Sequence, residues 1–141
     1  MLSTPSSVHR RLAHWTTEAM AAAVPGLRTS LRHTLEGWHV SPERIEVLLL
    51  IGTELLSNAV RHAGAAADRL CVTVTLGGGR LQLEVADGDP RLPCVALDAG
   101  AEAESGRGLA IVHFLVCETG GELVAFRVAT GKVVRVRIPL V

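Results

Sequence analysis

The sequence has few of the residues that mark a disulfide-bonded or metal-binding protein. Three cysteines lie far apart and none belongs to a C-x-x-C pair, which is typical of reduced thiols in a cytoplasmic protein; they are Cys71, Cys94 and Cys117. The six histidines are scattered singly, without the close repeats that a zinc site uses. We therefore expect neither disulfides nor a cluster of metal ligands.

Long hydrophobic runs are also absent. An alanine-rich stretch follows Arg10 and Arg11, as in a signal peptide, but Thr16, Thr17 and Glu18 interrupt it. No run approaches the length that a membrane span needs. We expect a cytoplasmic protein that is neither exported nor inserted in a membrane.

The sequence has no excess of charge of either sign. It contains 14 basic and 14 acidic residues, so the formal net charge is zero. Proteins that hold nucleic acid by releasing counterions need a basic face. Arg127, Arg135 and Arg137 offer a short basic stripe at most, and a solvated strand face is the favoured interpretation. We expect no direct contact with nucleic acid.

The length and the apolar content indicate one ordinary globular domain. The chain has 141 residues, of which 48% are hydrophobic, and this is enough for a complete core without disulfides. No internal repeat or low-complexity linker divides it. We interpret residues 1–24 as a weakly helical N-terminal extension, broken by Pro25 and Gly26, and residues 25–141 as the domain itself.

Hydrophobic spacing predicts two helices at the start of the domain, the first over about residues 27–38. The second begins at Ser41-Pro42-Glu43, where a serine cap precedes a proline, and runs to about residue 64. Its buried stripe comprises Ile45, Leu48, Leu49, Gly52, Leu55, Leu56, Ala59 and Ala63. A second stripe on the same side comprises Val47, Leu50, Ile51, Glu54, Asn58 and Arg61. A carboxylate and an amide thus extend an apolar face, which is unusual for a merely solvated glutamate.

After this helix the hydrophobic period changes to two, which predicts a hairpin with strands at 70–76 and 81–85. The second strand ends at Asp87-Gly88-Asp89-Pro90, and residues 91–108 form a long aperiodic loop of the kind that is usually functional. A helix over 109–117 should begin directly after Gly106-Arg107-Gly108, and a hairpin at 123–128 and 133–138 should follow. This order predicts an α+β fold, a two-layer sandwich with helices on one face of a mainly antiparallel sheet.

Glu54 and Asn58 are the first candidate site residues. They are four residues apart on the predicted helix, so their side chains leave one face about one turn from each other. A carboxylate accepts a proton, and an amide oxygen is a suitable ligand for magnesium. On their own, the two residues are more typical of an exposed polar pair on a helix.

Two further motifs lie at the ends of predicted elements. Asp87 closes a strand before a glycine and proline turn, which by itself indicates only a polar turn. Gly106 and Gly108 precede the last predicted helix, where glycine lets the backbone approach a phosphate and the helix offers free N–H groups. An ordinary helix entry is an equal alternative for these glycines.

Taken in order, the three motifs resemble those of one superfamily. The segment Thr53–Gly64, TELLSNAVRHAG, resembles the N-box of the GHKL ATPases and kinases, most closely that of the small bacterial anti-sigma-factor serine kinases. The segment Leu83–Pro90 resembles the family's acidic strand end, and Gly106-Arg107-Gly108-Leu109 resembles the glycine pair at the end of its ATP lid. The resemblance covers about residues 27–141 and implies the left-handed βαβ ATP-binding sandwich known as the Bergerat fold.

The resemblance implies a role for each matching residue. Asn58 would hold Mg²⁺, and Glu54 would orient or deprotonate the attacking hydroxyl as the catalytic residue. Asp87, followed by Gly88, would accept a hydrogen bond from the amine of adenine. The ATP lid would end at Gly106, Arg107, Gly108 and Leu109, with Arg107 as a candidate phosphate contact. ATP and Mg²⁺ are the implied cofactors.

The implied function is that of a protein serine/threonine kinase that phosphorylates a small anti-sigma-factor antagonist. The alternative is a binding module that sequesters a sigma factor or another regulator without efficient phosphotransfer, since both would keep the same pocket. A third reading is an ATP hydrolase in which Glu54 acts on water. A homodimer is compatible with any of these.

The sequence departs from its relatives at two places. The last strand carries Val133 where they often have a threonine that helps to hold adenine, and residues 1–24 do not clearly supply the strand with which they usually begin. The loop over residues 91–105 offers few apolar anchors. We therefore expect its amide hydrogens to exchange more slowly when nucleotide is bound.

Overall fold

In the described parts of the chain, one strand and two helices are followed by a hairpin, a third helix and a second hairpin. The computed structural model describes residues 10–61, 69–92 and 104–140, and in the last range it describes side chains from Leu109 onward. The elements in chain order are β1 (Arg11–Glu18), α1 (Val24–Gly37), α2 (Pro42–Arg61), β2 (Arg69–Gly77), β3 (Arg80–Asp87), α3 (Glu104–Glu118), β4 (Glu122–Val128) and β5 (Gly131–Pro139).

The strands form one five-stranded sheet in the order β1-β2-β3-β5-β4, and every neighbouring pair is antiparallel. Alternate residues of β2, β3 and β5 meet the apolar faces of the three helices in a single buried core. The sheet supplies Leu70, Val72, Val74, Leu81, Leu83, Val85, Val134, Val136 and Ile138 to this core. The predicted α+β sandwich, with helices on one face of an antiparallel sheet, is therefore confirmed.

Strand β1 corrects the interpretation of residues 1–24 as weakly helical. Residues 11–18 pair along their whole length with β2, so the first strand that relatives usually have is present. The alternation of exposure along β1 explains this pairing, because Ala13 and Trp15 pack against the core while the residues between them face outward. The three consecutive alanines that follow the strand form the short 3-10 turn Ala21–Ala23. Residues 1–9 lie outside the described ranges.

Helix α2 begins as its sequence predicts. The backbone N–H of Arg44 donates a hydrogen bond of 3.3 Å to Oγ of Ser41, which caps the first turn. All of the predicted first stripe within the described residues is buried, whereas Leu50 of the second stripe is 44% exposed. Leu50 lies about one-fifth of a turn away from the line through Val47, Ile51 and Glu54, and this rotation carries it into solvent. The helix is described to Arg61, and its predicted end near residue 64 lies outside the described ranges.

Both predicted hairpins form. Gly78 and Gly79 connect β2 to β3 with φ angles of +62° and +76°, the left-handed pair that a tight two-residue hairpin turn requires. Strand β3 ends at Asp87, as predicted. The residues that follow it, Gly88-Asp89-Pro90, are called the acidic turn below. The second hairpin joins β4 and β5, with Val128 paired to Gly131 next to the turn.

Helix α3 begins earlier than predicted, at Glu104, so Gly106 and Gly108 lie within its first two turns and not before it. Each helical glycine costs about 1 kcal/mol relative to alanine, which is why the sequence suggested a start after them. The remainder of the helix, which was predicted, is anchored in the core by Leu109, Val112 and Val116. Residues 93–103, most of the predicted loop, lie outside the described ranges.

Candidate functional site

Asp87 occupies the end of β3, where it is the buried partner of Lys132 at the start of β5. The two residues face each other across the ladder, and Nζ of Lys132 lies 3.0 Å from Oδ1 of Asp87. Each side chain is only 3% exposed. The ammonium group also donates a 3.2 Å hydrogen bond to the backbone carbonyl of Asp89. The predicted base-binding carboxylate is therefore part of a buried ion pair.

Gly131 allows the two strand ends to approach this closely. Its φ of +146° is one that residues with side chains rarely adopt. A Cβ at this position would collide with the carbonyl oxygen of Asp87 and would lie 2.7 Å from Cα of Gly88. The backbone of the acidic turn thus rests directly on the start of β5.

The acidic turn after β3 is held by local hydrogen bonds. The N–H of Asp89 donates a bond of 2.8 Å to Oδ1 of Asp87, and the guanidinium of Arg91 pairs with the carboxylate of Asp89 at 2.9 Å. The hydrogen bond from Arg91 holds the pKa of Asp89 well below its ordinary value of 3.8. Arg127 of β4 donates a bond of 3.1 Å to the carbonyl of Pro90. The turn is therefore attached to β4 as well as to β5.

Asn58 and Glu54 lie one turn apart in the C-terminal half of α2. Asn58 is only 8% exposed, and its Oδ1 is buried without a hydrogen-bond partner in the described part of the chain. Glu54 is half-buried, and across the same ranges the structure records no hydrogen bond or ion pair for its carboxylate. The helix packs on β3, where Gly52 faces Leu83, so both residues belong to the element that covers the strand of Asp87. No recorded hydrogen bond joins Asn58 or Glu54 to Asp87.

The predicted lid residues lie at the start of α3. Gly106, Arg107 and Gly108 belong to its first two turns, and their side-chain positions lie outside what the structure describes. The side chain of Leu109 is buried in the core at 3% exposure. At its other end the helix stops in a Schellman motif, in which Gly121 N–H donates to the carbonyl of Val116 and Gly120 adopts a φ of +76°.

Sequence reasoning missed Lys132. It is the only lysine of the chain, and it stands between a turn glycine and an alternating strand, which by themselves indicate an exposed residue. Val133, at which the sequence departs from its relatives, follows Lys132 and is paired with Ala86. Its side chain therefore lies on the other face of the sheet from that of Lys132. The position that faces Asp87 is therefore Lys132. The contact between Lys132 and Asp87 follows only from the register in which β3 pairs with β5. Because these strands belong to different hairpins, no local sequence pattern specifies that register.

Each of the three arginines of the suggested basic stripe, Arg127, Arg135 and Arg137, contacts a neighbouring group. Nε of Arg135 lies 2.6 Å from Glu84, and its guanidinium also stacks 4.9 Å from the ring of Phe126. Arg137 donates to Gln82 at 2.7 Å and pairs with Glu122 at 3.4 Å. The favoured interpretation of a solvated strand face thus agrees with these contacts.

Two features are absent from the described ranges. Within residues 10–61, 69–92 and 104–140, no three His, Cys, Asp or Glu side chains come together in a way that could hold a metal ion. None of the helices in those ranges has both the length and the apolar character needed to cross a membrane.

Comparison with known proteins identifies the family. The family model described as a histidine kinase-like ATPase domain matches residues 17–138. No protein of curated function matches the sequence.

Three of the solved structures that are similar to this chain illustrate the likeness. The histidine kinase domain of the blue-light activated histidine kinase EL346 from Erythrobacter litoralis is 25% identical, with a TM-score of 0.58 over 84% of this chain and 60% of that one. The RsbU and RsbW domains of Rv1364c from Mycobacterium tuberculosis are 22% identical, with a TM-score of 0.69 over 92% of this chain and 32% of that one. The histidine kinase AdeS from Acinetobacter baumannii is 15% identical, with a TM-score of 0.53 over 92% of this chain and 68% of that one.

The chain spans less than two-thirds of the first two of these structures. The last two are so distant in sequence that they show a common fold alone. The family match covers most of the chain and includes α2, β3 and β5, the elements that carry Asn58, Asp87 and Lys132. The predicted resemblance to the GHKL superfamily is confirmed, and this chain belongs to the histidine kinase-like ATPase domain family.

Proposed function

We propose that this protein binds ATP with Mg²⁺ and transfers a phosphoryl group to a serine or threonine of a small regulatory protein of the anti-sigma-factor antagonist class. The observation that carries the proposal is the buried Oδ1 of Asn58, which has no hydrogen-bond partner in the described part of the chain. A buried polar atom without a partner costs about 1 to 3 kcal/mol. A hard cation is the partner that an amide oxygen suits, so this residue fits Mg²⁺.

The residues of α2 would supply the chemistry. Asn58 would hold Mg²⁺, which neutralises charge on the phosphates when bound. Glu54, one turn earlier and half-buried, would orient the attacking hydroxyl and accept its proton. Its carboxylate has no recorded partner across the described residues, which leaves it available for this role.

The base and the phosphates would be held by the other motifs. Asp87 and the adjacent Gly88 would contact the purine, with the carboxylate as acceptor. The first turn of α3 would direct backbone N–H groups at the phosphates, and Gly106 and Gly108 would let the backbone come close. Arg107 would add a charged contact to a phosphate oxygen.

The partner class rests on the likeness to a protein that contains an RsbW domain, together with the N-box resemblance. A regulatory kinase of this kind would act in the bacterial cytoplasm, where its antagonist and sigma factor are found. A homodimer is the assembly that we propose for it.

The proposal is tested by phosphotransfer from labelled ATP to antagonists captured from the native cell. We expect the Glu54→Gln variant to keep its affinity for nucleotide and to transfer phosphate roughly a hundredfold more slowly, because glutamine cannot accept the proton. Glu46→Gln is the matched control, since Glu46 lies on the same helix in an exposed ion pair with Arg32.

Three outcomes would change the assignment. Transfer by the Glu54→Gln variant at the wild-type rate contradicts the general-base role. A wild-type protein that binds ATP and its partner but transfers nothing would be a sequestering module, and phosphate release without any partner would indicate an ATP hydrolase.

A further inference from the structure

Two adjoining cavities lie on the outer face of the sheet, opposite the helices. The larger has a volume of about 420 Å³ and is lined by three arginines, Arg10, Arg80 and Arg137, and by the side chain of Leu12. The smaller, of about 170 Å³, shares Arg80 and Arg137 with the first and extends to Glu122 on β4. We call the two cavities together the basic groove.

The strand register explains why these arginines share one face. Alternate residues of a strand point to opposite faces of a sheet. Leu81 and Ile138 are buried in the core, so their neighbours Arg80 and Arg137 point away from it. Arg137 is paired with Gln82, two residues beyond Arg80 on the neighbouring strand. The two arginines are therefore diagonal neighbours, about 7 to 8 Å apart at their backbones.

Gly77 keeps the groove open between Arg10 and Arg80. It is paired with Arg80 at the end of the first hairpin. A Cβ on Gly77 would lie 2.9 Å from Cγ of Arg10, so the stem of Arg10 rests across this position. A side chain at position 77 would push Arg10 aside and fill the space between the two arginines.

The positive charge of the groove is only partly balanced. Arg10 and Arg80 are exposed, and within the described ranges no hydrogen bond or ion pair is recorded for either guanidinium. Glu122, which lies 3.4 Å from Arg137, is the one acidic residue among the described lining residues. Residues 1–9, which precede Arg10, contain no acidic residue. A guanidinium suits a carboxylate because its N–H donors match the two carboxylate oxygens.

The extent of the groove favours an elongated ligand over a single ion. It reaches from β1 to β4, which is four strand spacings or about 19 Å, the length of about six extended residues. Leu12, at the β1 end, is 65% exposed and offers an apolar contact beside Arg10. A peptide can supply both carboxylates and an apolar side chain. Nucleic acid fits less well, because the whole chain has a formal net charge of zero.

We propose that the basic groove binds an extended acidic segment of a partner protein, with carboxylates on Arg10 and Arg80 and an apolar residue on Leu12. The groove lies on the opposite face of the sheet from Asp87 and Lys132, whose side chains point to the helices. This binding site goes beyond the proposed function and does not depend on nucleotide binding.

An NMR titration of the isotope-labelled full chain with a synthetic peptide of one leucine followed by six glutamates tests this site. We expect the amide signals of Thr75, Gly77 and Arg80 to shift, and those of the acidic turn to stay in place. The same peptide with glutamine in place of glutamate should bind at least tenfold more weakly, because it lacks the charge. Equal binding of the two peptides, or shifts confined to other parts of the chain, would overturn the proposal. Tighter binding of single-stranded oligothymidylate than of the glutamate peptide would also overturn it, in favour of nucleic acid.

Variants separate this groove from general attraction between charges. The double variant Arg10→Gln/Arg80→Gln should weaken the glutamate peptide about tenfold, whereas Arg10→Lys/Arg80→Lys keeps the charge and should weaken it less than about threefold. Arg69→Gln is the matched control, because Arg69 is an exposed arginine at the other end of β2 and lines neither cavity.

The apolar contact has its own variant. Leu12→Ser should weaken the leucine peptide and leave unchanged a peptide with serine in place of leucine. The spectra of the free variants also show whether each one is folded. An unchanged affinity in the double glutamine variant, or an equal loss in Arg69→Gln, contradicts the proposal.

Discussion

Lys132 and Asp87 are paired across β3 and β5 at 3.0 Å, with both side chains only 3% exposed. Removing one member of such a pair leaves an uncompensated buried charge, which costs about 3 to 5 kcal/mol. We expect Lys132→Ala to lower the free energy of unfolding by this amount, as measured by urea denaturation. The double variant Lys132→Met/Asp87→Asn should cost less than the sum of its single changes, because the two residues interact directly. Additive costs would show that the pair is not coupled.

Gly131 should tolerate no side chain. The Gly131→Ala variant places a Cβ against the backbone of Asp87 and Gly88 at a strained φ of +146°, so we expect a loss of more than about 1 kcal/mol. Gly26→Ala is the matched control, because a Cβ there meets nothing within 4 Å and the residue lies in α1. The control should raise stability by up to about 1 kcal/mol. Equal effects of the two changes on the denaturation midpoint would contradict this account of β5.

Asp89 should titrate at unusually low pH. Its pKa lies below 3.8 because Arg91 donates hydrogen bonds to the ionised carboxylate. Since the folded pKa is below the unfolded one, the contact stabilises the fold above the unfolded pKa, and that contribution is lost as pH falls through the folded pKa. An NMR titration should show the carboxyl signal of Asp89 still moving below pH 3.8, and Arg91→Ala should shift its midpoint upward. An unchanged midpoint in the variant would contradict the assignment.

Asn58 should contribute to binding and not to folding. Its buried Oδ1 has no partner in the described part of the chain, so Asn58→Ala removes an unsatisfied group and should change the free energy of unfolding by less than about 1 kcal/mol. Ile51→Ala, at a fully buried position of the same helix, should cost about 2 to 5 kcal/mol. A loss for Asn58→Ala as large as that for Ile51→Ala would assign Asn58 a structural role.

Much of the fold follows from local patterns. The serine cap at Ser41, the apolar period of α2 and the Gly78-Gly79 turn each specify their element through nearby residues, and these predictions are confirmed. Strand β1 was missed because its alternation of apolar and polar residues is weak, with Ala13 and Trp15 as the residues that pack on the core. The strand is held by its pairing with β2, which lies more than 50 residues later in the chain. Glycine propensity likewise placed the start of α3 too late, because Gly106 and Gly108 are helical in the structure.

The candidate site was predictable to a smaller extent. Its motifs were found because residues such as Glu54 and Asn58 are close in sequence. Lys132 reaches Asp87 across 45 positions of the chain, and no local pattern indicates that contact. The individual roles of the site residues, and the division of the chain at residue 25, stay predictions.

The central claim is that Asn58 and Asp87 form one site for a nucleotide and its Mg²⁺. Calorimetry of the full chain with ATP, with and without Mg²⁺, tests it most directly. We predict binding that weakens at least tenfold when Mg²⁺ is removed, and that weakens to a similar extent in Asn58→Ala with Mg²⁺ present, because both changes remove the same contact. Absence of heat with ATP or ADP from the folded protein, or binding indifferent to both Mg²⁺ and Asn58, would contradict the account.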